Sequence, residues 1–202
     1  MGLIRAVSFV VMLACASAFA QADFSAEIAN TLTSSNTFQT KIYSTRGKLR
    51  FEGEDKSGRP NSIMLVDLVS RTSVVLVPQQ KQYVQSKMPQ IPGQGVAFFQ
   101  AKDVESACRE YLKLPQVEKG KCKKIGHETV NGRDTVKYEV SPQEGAAGPM
   151  WIDVKLHFPV KWQNAASAGE LKNIREEAQP GRLFEIPAGY TKRVFTNPEN
   201  KK

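Results

Sequence analysis

The chain has few of the residues on which catalysis and metal binding depend. Its 202 residues include two histidines, His127 and His157, and neither has a cysteine, histidine or carboxylate partner at ligand spacing. No G-x-S-x-G motif is present to place a nucleophilic serine. Asp67 and Asp153 lack an obvious paired carboxylate, so each is expected to mark a turn or a solvated strand face. We therefore expect a protein that is no enzyme and needs no cofactor or metal, with both histidines at the surface or in turns.

Apolar runs long enough to cross a bilayer, which takes about 20 residues, are also missing. The apolar run at the N-terminus follows Arg5 and leads into small residues in A-x-A arrangements, which is the layout of a secretory signal. Residues 1–22 are therefore predicted to be a signal peptide, and the mature protein to be soluble and either periplasmic or secreted. "MLAC" is a loose lipoprotein-processing box, so acylation of Cys15, with anchoring at the outer membrane, is the alternative.

The charge of the chain is moderately basic and mostly dispersed. The net charge is +8, and it falls to +7 when the signal peptide with its single arginine is removed. An anionic membrane surface or an acidic envelope protein therefore stays open as a partner. The one dense basic run, "KGKCKK" at 119–124, has too few aromatic neighbours for a nucleic-acid platform. We interpret it as a solvated loop and expect no nucleic acid as a partner.

Two cysteines, Cys108 and Cys122, remain in the mature chain. An even number in an exported protein predicts a disulfide. Closing a loop of about 15 residues is worth roughly 3 kcal/mol on the chain-entropy model. The spacing is not the C-x-x-C of redox-active pairs. We expect the bridge to join a helical segment to the strand that follows it.

Short strands separated by turn residues dominate residues 23–195, which form one domain. "KLRFEGE" alternates Leu49 and Phe51 with Arg50 and Glu52, which predicts one buried and one wet face. The apolar segments "SIMLVDLV" and "SVVLV" predict a hairpin buried on both faces. "NGR" predicts a tight turn between two further strands. Alternation at Phe24, Ala26 and Ile28 predicts a first strand with these side chains inward.

The stretch "WIDVKLHFPVKW" alternates without a break, yet Pro159 cannot donate a hydrogen bond within a central strand. It therefore predicts two strands joined by a tight turn at 155–158. "ELKNIREE" predicts a strand with a bulge between Leu171 and Ile174, and "RLFEIPAGY" predicts the last strand. The tail, 196–202, is expected to be disordered.

One segment has helical rather than strand spacing. "VAFFQAKDVESACREYL" predicts a helix or a broken pair of helices, with Asp103 as a cap. The two prolines and two glycines of "KMPQIPGQG" precede it and exclude regular structure there. The helical segment is either a movable lid or a fixed plug over the sheet. The fold class is thus α+β, mainly β, with a curved antiparallel sheet covered by helix.

The closing sequence "WID", "FPVKW" and "LFEIPAGY" resembles that of the outer-membrane lipoprotein-sorting superfamily, which comprises a periplasmic carrier, its receptor and their relatives. "KKIGHETVNGRDTVKYEV" after a cysteine pair resembles an uncharacterised branch of it. The resemblance implies an incomplete antiparallel barrel with a helical lid and an apolar cavity for acyl chains. Arg50 lies on a strand of about the right order for the carrier's cavity arginine, but its neighbours predict that it faces outward.

The leading hypothesis is a monomeric periplasmic binding protein for a lipid or a lipoprotein acyl chain, held in an apolar cavity. An envelope-stress sensor or protein-interaction domain of the same fold is the alternative, and a small hydrolase is a third class. The competing interpretation of the cavity is that its side chains simply fill the core. The predicted lining residues are Phe51, Met64, Val66, Phe98, Phe99, Tyr138 and Trp162.

Overall fold

The structure is a computed structural model, and part of the chain is described. Residues 1–21 of the predicted signal peptide, with Cys15, the tail at 196–202 and the predicted lining residue Phe98 lie outside the described residues. The described residues are 22–30, 40–54, 57–87, 99–114, 117, 119–141, 147–164 and 168–193.

Twelve strands form one open sheet, which confirms the mainly β fold. The strand order is β12-β6-β5-β4-β3-β2-β1-β11-β10-β9-β8-β7. All neighbours are antiparallel except β12 and β6, which are parallel, and the sheet is not closed into a barrel. The strands are β1 (Phe24–Asn30), β2 (Thr40–Thr45), β3 (Lys48–Glu54), β4 (Pro60–Asp67), β5 (Thr72–Val77), β6 (Gln82–Lys87), β7 (Lys121–Val130), β8 (Arg133–Ser141), β9 (Gly148–Asp153), β10 (Pro159–Gln163), β11 (Ala168–Glu176) and β12 (Thr191–Lys192).

Local turn chemistry places the hairpins where the sequence predicts them. Asn131 and Gly132 have φ of 51° and 75°, as the tight turn between β7 and β8 requires. Pro159 is the first residue of β10, where its missing N–H costs little. In β11, Asn173 has φ of 52° and the register shifts opposite Ser25 and Glu27, which confirms the bulge between Leu171 and Ile174.

Asp153 ends β9 and organises the turn to β10. Its Oδ1 accepts hydrogen bonds from the backbone N–H groups of Lys155 at 2.9 Å and Leu156 at 2.8 Å. Arg133 donates to both carboxylate oxygens. The carboxylate marks a turn, as predicted, but it is 1% exposed. Asp67 likewise accepts from backbone N–H groups of the β4–β5 turn, which lowers its pKa.

The two faces of the sheet are covered differently. We call the face that carries Phe24, Ala26 and Ile28 the inner face, and these three side chains are buried as predicted. The main core lies on it, and residues of the β9–β10 turn complete this core. Its buried members are Phe24, Ala26, Ile28, Ile42, Leu49, Phe51, Val66, Leu156, Phe158, Val160, Trp162 and Leu171.

The helical segment is shorter than the sequence predicts. It consists of a 3-10 turn at Val104–Ser106 and a single helical turn, α1 (Cys108–Tyr111). Asp103 caps it as expected, accepting from the backbone N–H of Glu105. The segment packs on the inner face of β8 and β9 and forms a second core cluster. The buried members of that cluster are Phe99, Ala101, Val104, Ala107, Tyr111, Val117, Val136, Tyr138, Met150 and Ile152.

Two attachments hold this segment to the sheet. The predicted disulfide joins Cys108, at the start of α1, to Cys122 on β7. The backbone N–H of Ala101 donates to the carbonyl oxygen of His157 at 2.9 Å, and His157 Nδ1 lies 3.0 Å from the Ala101 carbonyl oxygen, to which it donates. His157 therefore lies in a turn, as expected, and links it to the helical segment.

The C-terminal segment covers the outer face of β3 to β6. Residues predicted as the strand "RLFEIPAGY" instead form a 3-10 turn, Gly181–Phe184, because Pro180 and Pro187 interrupt strand pairing. The predicted wet face of β3 is also wrong, since Arg50 and Glu52 are 9% and 8% exposed beneath this segment. Arg50 donates to the Leu183 carbonyl oxygen at 2.8 Å and to Glu52 at 2.6 Å. Arg50 thus faces outward, as expected, but is buried.

The basic run at 119–124 and the β4–β5 hairpin both differ from the sequence predictions. The basic run 119–124 is not a loop, because most of it belongs to β7, the strand at one edge of the sheet. Lysines on an edge strand discourage pairing with another sheet. The β4–β5 hairpin is in place, but it is not buried on both faces, since Val75 is 40% exposed.

Breaking the buried ion pair on β3 is expected to destabilise the fold. Arg50→Met leaves the Glu52 carboxylate buried without its cation and removes the bond to Leu183. We expect a loss of about 3 kcal/mol in the free energy of unfolding, measured in urea. The double variant Arg50→Met/Glu52→Leu serves as the control and should recover most of the loss; a double variant as unstable as the single one would contradict this account.

Removing the disulfide is expected to loosen the helical segment selectively. Cys108→Ser/Cys122→Ser should lower the free energy of unfolding by about 3 kcal/mol. Amide hydrogen exchange should rise at residues 99–114 and stay unchanged in β3 and β4, which the bridge does not touch. Equal exchange in both regions, or unchanged stability with and without reductant, would contradict the prediction.

Candidate functional site

A row of apolar side chains crosses the inner face from β1 to β6. Paired residues on antiparallel strands point to the same face, so the register alone defines this row. Ala26 pairs with Ile42, Ile42 with Phe51, and Phe51 with Met64. Met64 pairs with Val75, and Val75 pairs with Val84. We call these six residues the apolar row.

Cover over the apolar row decreases towards β6. Ile42 is 0% exposed and Phe51 is 8% exposed, whereas Met64 and Val84 are only half-buried and Val75 is 40% exposed. β5 has a strand on each side, so the exposure of Val75 arises above the sheet and not at its edge. An apolar surface on an interior strand is therefore available at this end of the inner face.

The other end of the inner face is filled. The Phe99 and Tyr111 rings have centroids 5.9 Å apart. The Tyr138 hydroxyl donates to the carbonyl oxygen of Val104. Burial raises the pKa of Tyr138 and raises that of Tyr111 to about 12. Both phenols thus stay neutral at physiological pH, and the helical segment acts as a plug over β8 and β9.

The predicted lining residues fall into two groups. Phe51, Val66 and Trp162 are buried in the main core, with Met64 half-buried against it. Tyr138 lies beneath the helical segment, Phe99 lies within that segment, and both are buried in the second cluster. The structure therefore does not gather the six described residues around one space. Phe51, Met64 and Val66 are the predicted residues nearest the uncovered end, on β3 and β4.

Sequence reasoning missed Ile42, Val75 and Val84. Met64 was predicted from the apolar segment "SIMLVDLV", and the polar residues between it and "SVVLV" indicated the turn that follows. Counting outward from that turn would have paired Met64 with Val75, since a hairpin loop fixes the register of its strands. The nearly continuous apolar sequence of β5 instead suggested burial on both faces.

The outer face has a groove of different character. A space of about 610 Å³ is lined by polar and charged side chains of β11, β1 and β2, with two apolar residues among them. Lys41 on its rim pairs with Glu54 at 2.6 Å, and Asn173 donates to Glu27 at 2.8 Å. The Tyr43 pKa is raised by burial. This groove suits water or polar groups better than a hydrocarbon chain.

The described ranges contain no group of three or more His, Cys, Asp or Glu side chains that could hold a metal ion. No helix within them is long and apolar enough to cross a membrane.

Comparison with known proteins shows likeness in structure. No protein-family model matches the sequence, and no curated protein matches it. An uncharacterized conserved protein from Thermus thermophilus is 10% identical with a TM-score of 0.52, over 87% of this chain and 91% of that one. PNGF-II is 8% identical with a TM-score of 0.53, over 85% of this chain but only 31% of that one. At such identities these two matches show the fold alone.

The matched structures also include the superfamily that the closing strands resemble. A LolA superfamily protein from Nitrosomonas europaea is 10% identical with a TM-score of 0.39, over 82% of this chain and 90% of that one. A TM-score below 0.5 carries no argument about function. The chemistry of the apolar row itself must therefore indicate what its uncovered end binds.

Proposed function

We propose that the chain is an exported binding protein of the lipoprotein-sorting type that holds a lipid acyl chain along the apolar row. The observation that supports this is the 40% exposure of Val75, an apolar side chain on an interior strand, in line with Phe51 and Met64. A contiguous exposed apolar surface on a soluble domain is typical of a site that a ligand or a partner covers.

The size of the uncovered surface suits one hydrocarbon chain. Neighbouring strands lie about 4.8 Å apart, so the step from Phe51 on β3 to Val84 on β6 covers about 14 Å. Each methylene that leaves water for such a surface contributes about 0.8 kcal/mol. The row contains no charged side chain. An extended acyl chain lying across β3 to β6 would therefore be held by apolar contact alone.

Two features of the chain support an exported location. The N-terminal signal pattern directs export, and the Cys108–Cys122 bridge needs an oxidising compartment. We therefore place the working protein in the periplasm or outside the cell. The proposal assigns no catalytic step to the chain.

A second candidate is an envelope sensor or interaction domain that binds protein. The observation that favours it is the edge strand β7, ten residues long, with Lys121, Lys123 and Ile125 exposed. An extended peptide with acidic side chains could add to such an edge as a further strand, because its charge complements the lysines that discourage pairing with other sheets. A lipid carrier should bind hydrocarbon in the absence of any protein partner, which separates the two candidates.

A charge placed on the apolar row is expected to abolish most binding. Val75→Asp puts a carboxylate beneath the acyl chain, and its desolvation opposes binding. We expect the delipidated mature protein to bind N-phenyl-1-naphthylamine, an uncharged fluorescent probe of apolar sites, at least about tenfold more weakly after this substitution.

Val154→Asp is the matched control for this experiment. Val154 is 38% exposed, close to the value for Val75, but it lies in the β9–β10 turn away from the row. Its substitution should leave probe binding unchanged, and thermal unfolding should check that both variants are folded. Equal binding by Val75→Asp and the unsubstituted protein, or no binding by the latter, would refute the proposed function.

A further inference from the structure

A polar hollow lies beside the apolar row on the same face. It is a shallow space of about 480 Å³ lined by Thr40, Gly53, Asn61 and Ser62. Thr40 pairs with Gly53, and Gly53 pairs with Ser62. Gly53 is two residues from Phe51 along β3, so the hollow begins about 7 Å from the row. We call these four residues the polar hollow.

Gly53 and a bulge in β4 create this space. The register shifts between Gly53 and Glu54, so that Glu54 pairs with Pro60 and Asn61 is the extra residue. A Cβ added to Gly53 would lie 2.8 Å from Ser62 Oγ and 3.4 Å from Asn61 Oδ1. The bulge thus brings two polar side chains over one glycine, and any larger residue there would displace the serine hydroxyl.

Among the described residues, the polar side chains of the hollow have no hydrogen-bond partner. In the described part of the chain, the side chains of Thr40, Asn61 and Ser62 make no hydrogen bond, and Thr40 and Asn61 are half-buried. Two hydroxyls can each donate and accept, and the amide supplies both a donor and an acceptor. The hollow therefore offers several free hydrogen-bonding groups in one place.

The hollow is also uncharged. Its lining contains no acidic or basic residue. The charged residues next to the hollow along these strands, Lys41, Glu52 and Glu54, alternate to the outer face, where Lys41 pairs with Glu54 at 2.6 Å and Glu52 with Arg50 at 2.6 Å. A phosphate or carboxylate placed in the hollow would have to lose water without gaining a cation, which is costly. A neutral group with hydroxyl or ester oxygens loses less hydration on entering the hollow and therefore avoids this cost.

Resting on the proposed function, we propose that the polar hollow binds the uncharged, oxygen-rich head of an amphipathic lipid whose acyl chain lies along the apolar row. The ligand class is a neutral acylglycerol and not a fatty acid or a phospholipid with a phosphomonoester head. Thr40, Asn61 and Ser62 would exchange hydrogen bonds with its hydroxyl and ester oxygens, and Gly53 leaves room for them.

Ligands of one chain length and different heads test this assignment. Dodecane, lauric acid, dodecyl phosphate and 1-lauroylglycerol would each displace N-phenyl-1-naphthylamine from the delipidated mature protein. We expect 1-lauroylglycerol to bind at least about tenfold more tightly than lauric acid and dodecyl phosphate, the difference that one or two hydrogen bonds supply.

Substitutions in the hollow should remove this preference and leave chain binding intact. Ser62→Ala and Gly53→Ala should each reduce the preference for 1-lauroylglycerol to below about threefold, with unchanged affinity for N-phenyl-1-naphthylamine. Ser62 is exposed, so its truncation does not threaten folding. Ser70→Ala, in the β4–β5 turn, is the matched control and should keep the preference.

The outcomes separate the two proposals. Probe and dodecane binding without discrimination between heads would overturn the assignment of the hollow and leave the proposed function standing. Preference for dodecyl phosphate or lauric acid would also overturn the assignment. Absence of binding by the probe and by all four ligands would overturn the proposed function, and the assignment with it.

Discussion

Apolar side chains point to both faces of this open sheet and must be covered there, and this constraint governs the rest of the structure. Strand residues alternate between the faces, so apolar side chains in β3 to β6 point both ways and need two separate covers. The chain supplies the outer cover from Gly181–Phe184 and the residues after it. It supplies the inner cover from Leu156 and Phe158 in the β9–β10 turn and from the helical segment. The described inner cover runs out over β5, where Val75 remains exposed.

The features that could be predicted from sequence are those set by neighbouring residues. Asn131 and Gly132 define one hairpin, Pro159 divides an unbroken alternation into two strands, and Asp103 caps the helical segment. Each signal acts within a few residues of its effect. The disulfide was predictable because removal of the predicted signal peptide with Cys15 leaves two cysteines, which can pair in only one way.

The features that could not be predicted from sequence depend on contacts between residues that are distant in sequence. Arg50 lies 133 residues from the carbonyl group that it meets, so nothing near it predicts burial. Phe99 and Tyr138 were predicted to line a cavity, and only the structure places both in the buried second cluster. The sequence "RLFEIPAGY" favoured a strand, yet a strand also needs an edge to pair with, and Pro187 within it and Pro180 before it limit that pairing.

The two attachments of the helical segment limit the route by which a ligand enters and leaves the inner face. The segment is fixed near one end through Ala101 and His157 and further along by Cys108. An element tethered at two points has no hinge about which to swing, so it belongs to the permanent frame of the molecule. If a guest occupies the row, its entry and departure proceed sideways past β5 and β6, at a rate that this segment does not control.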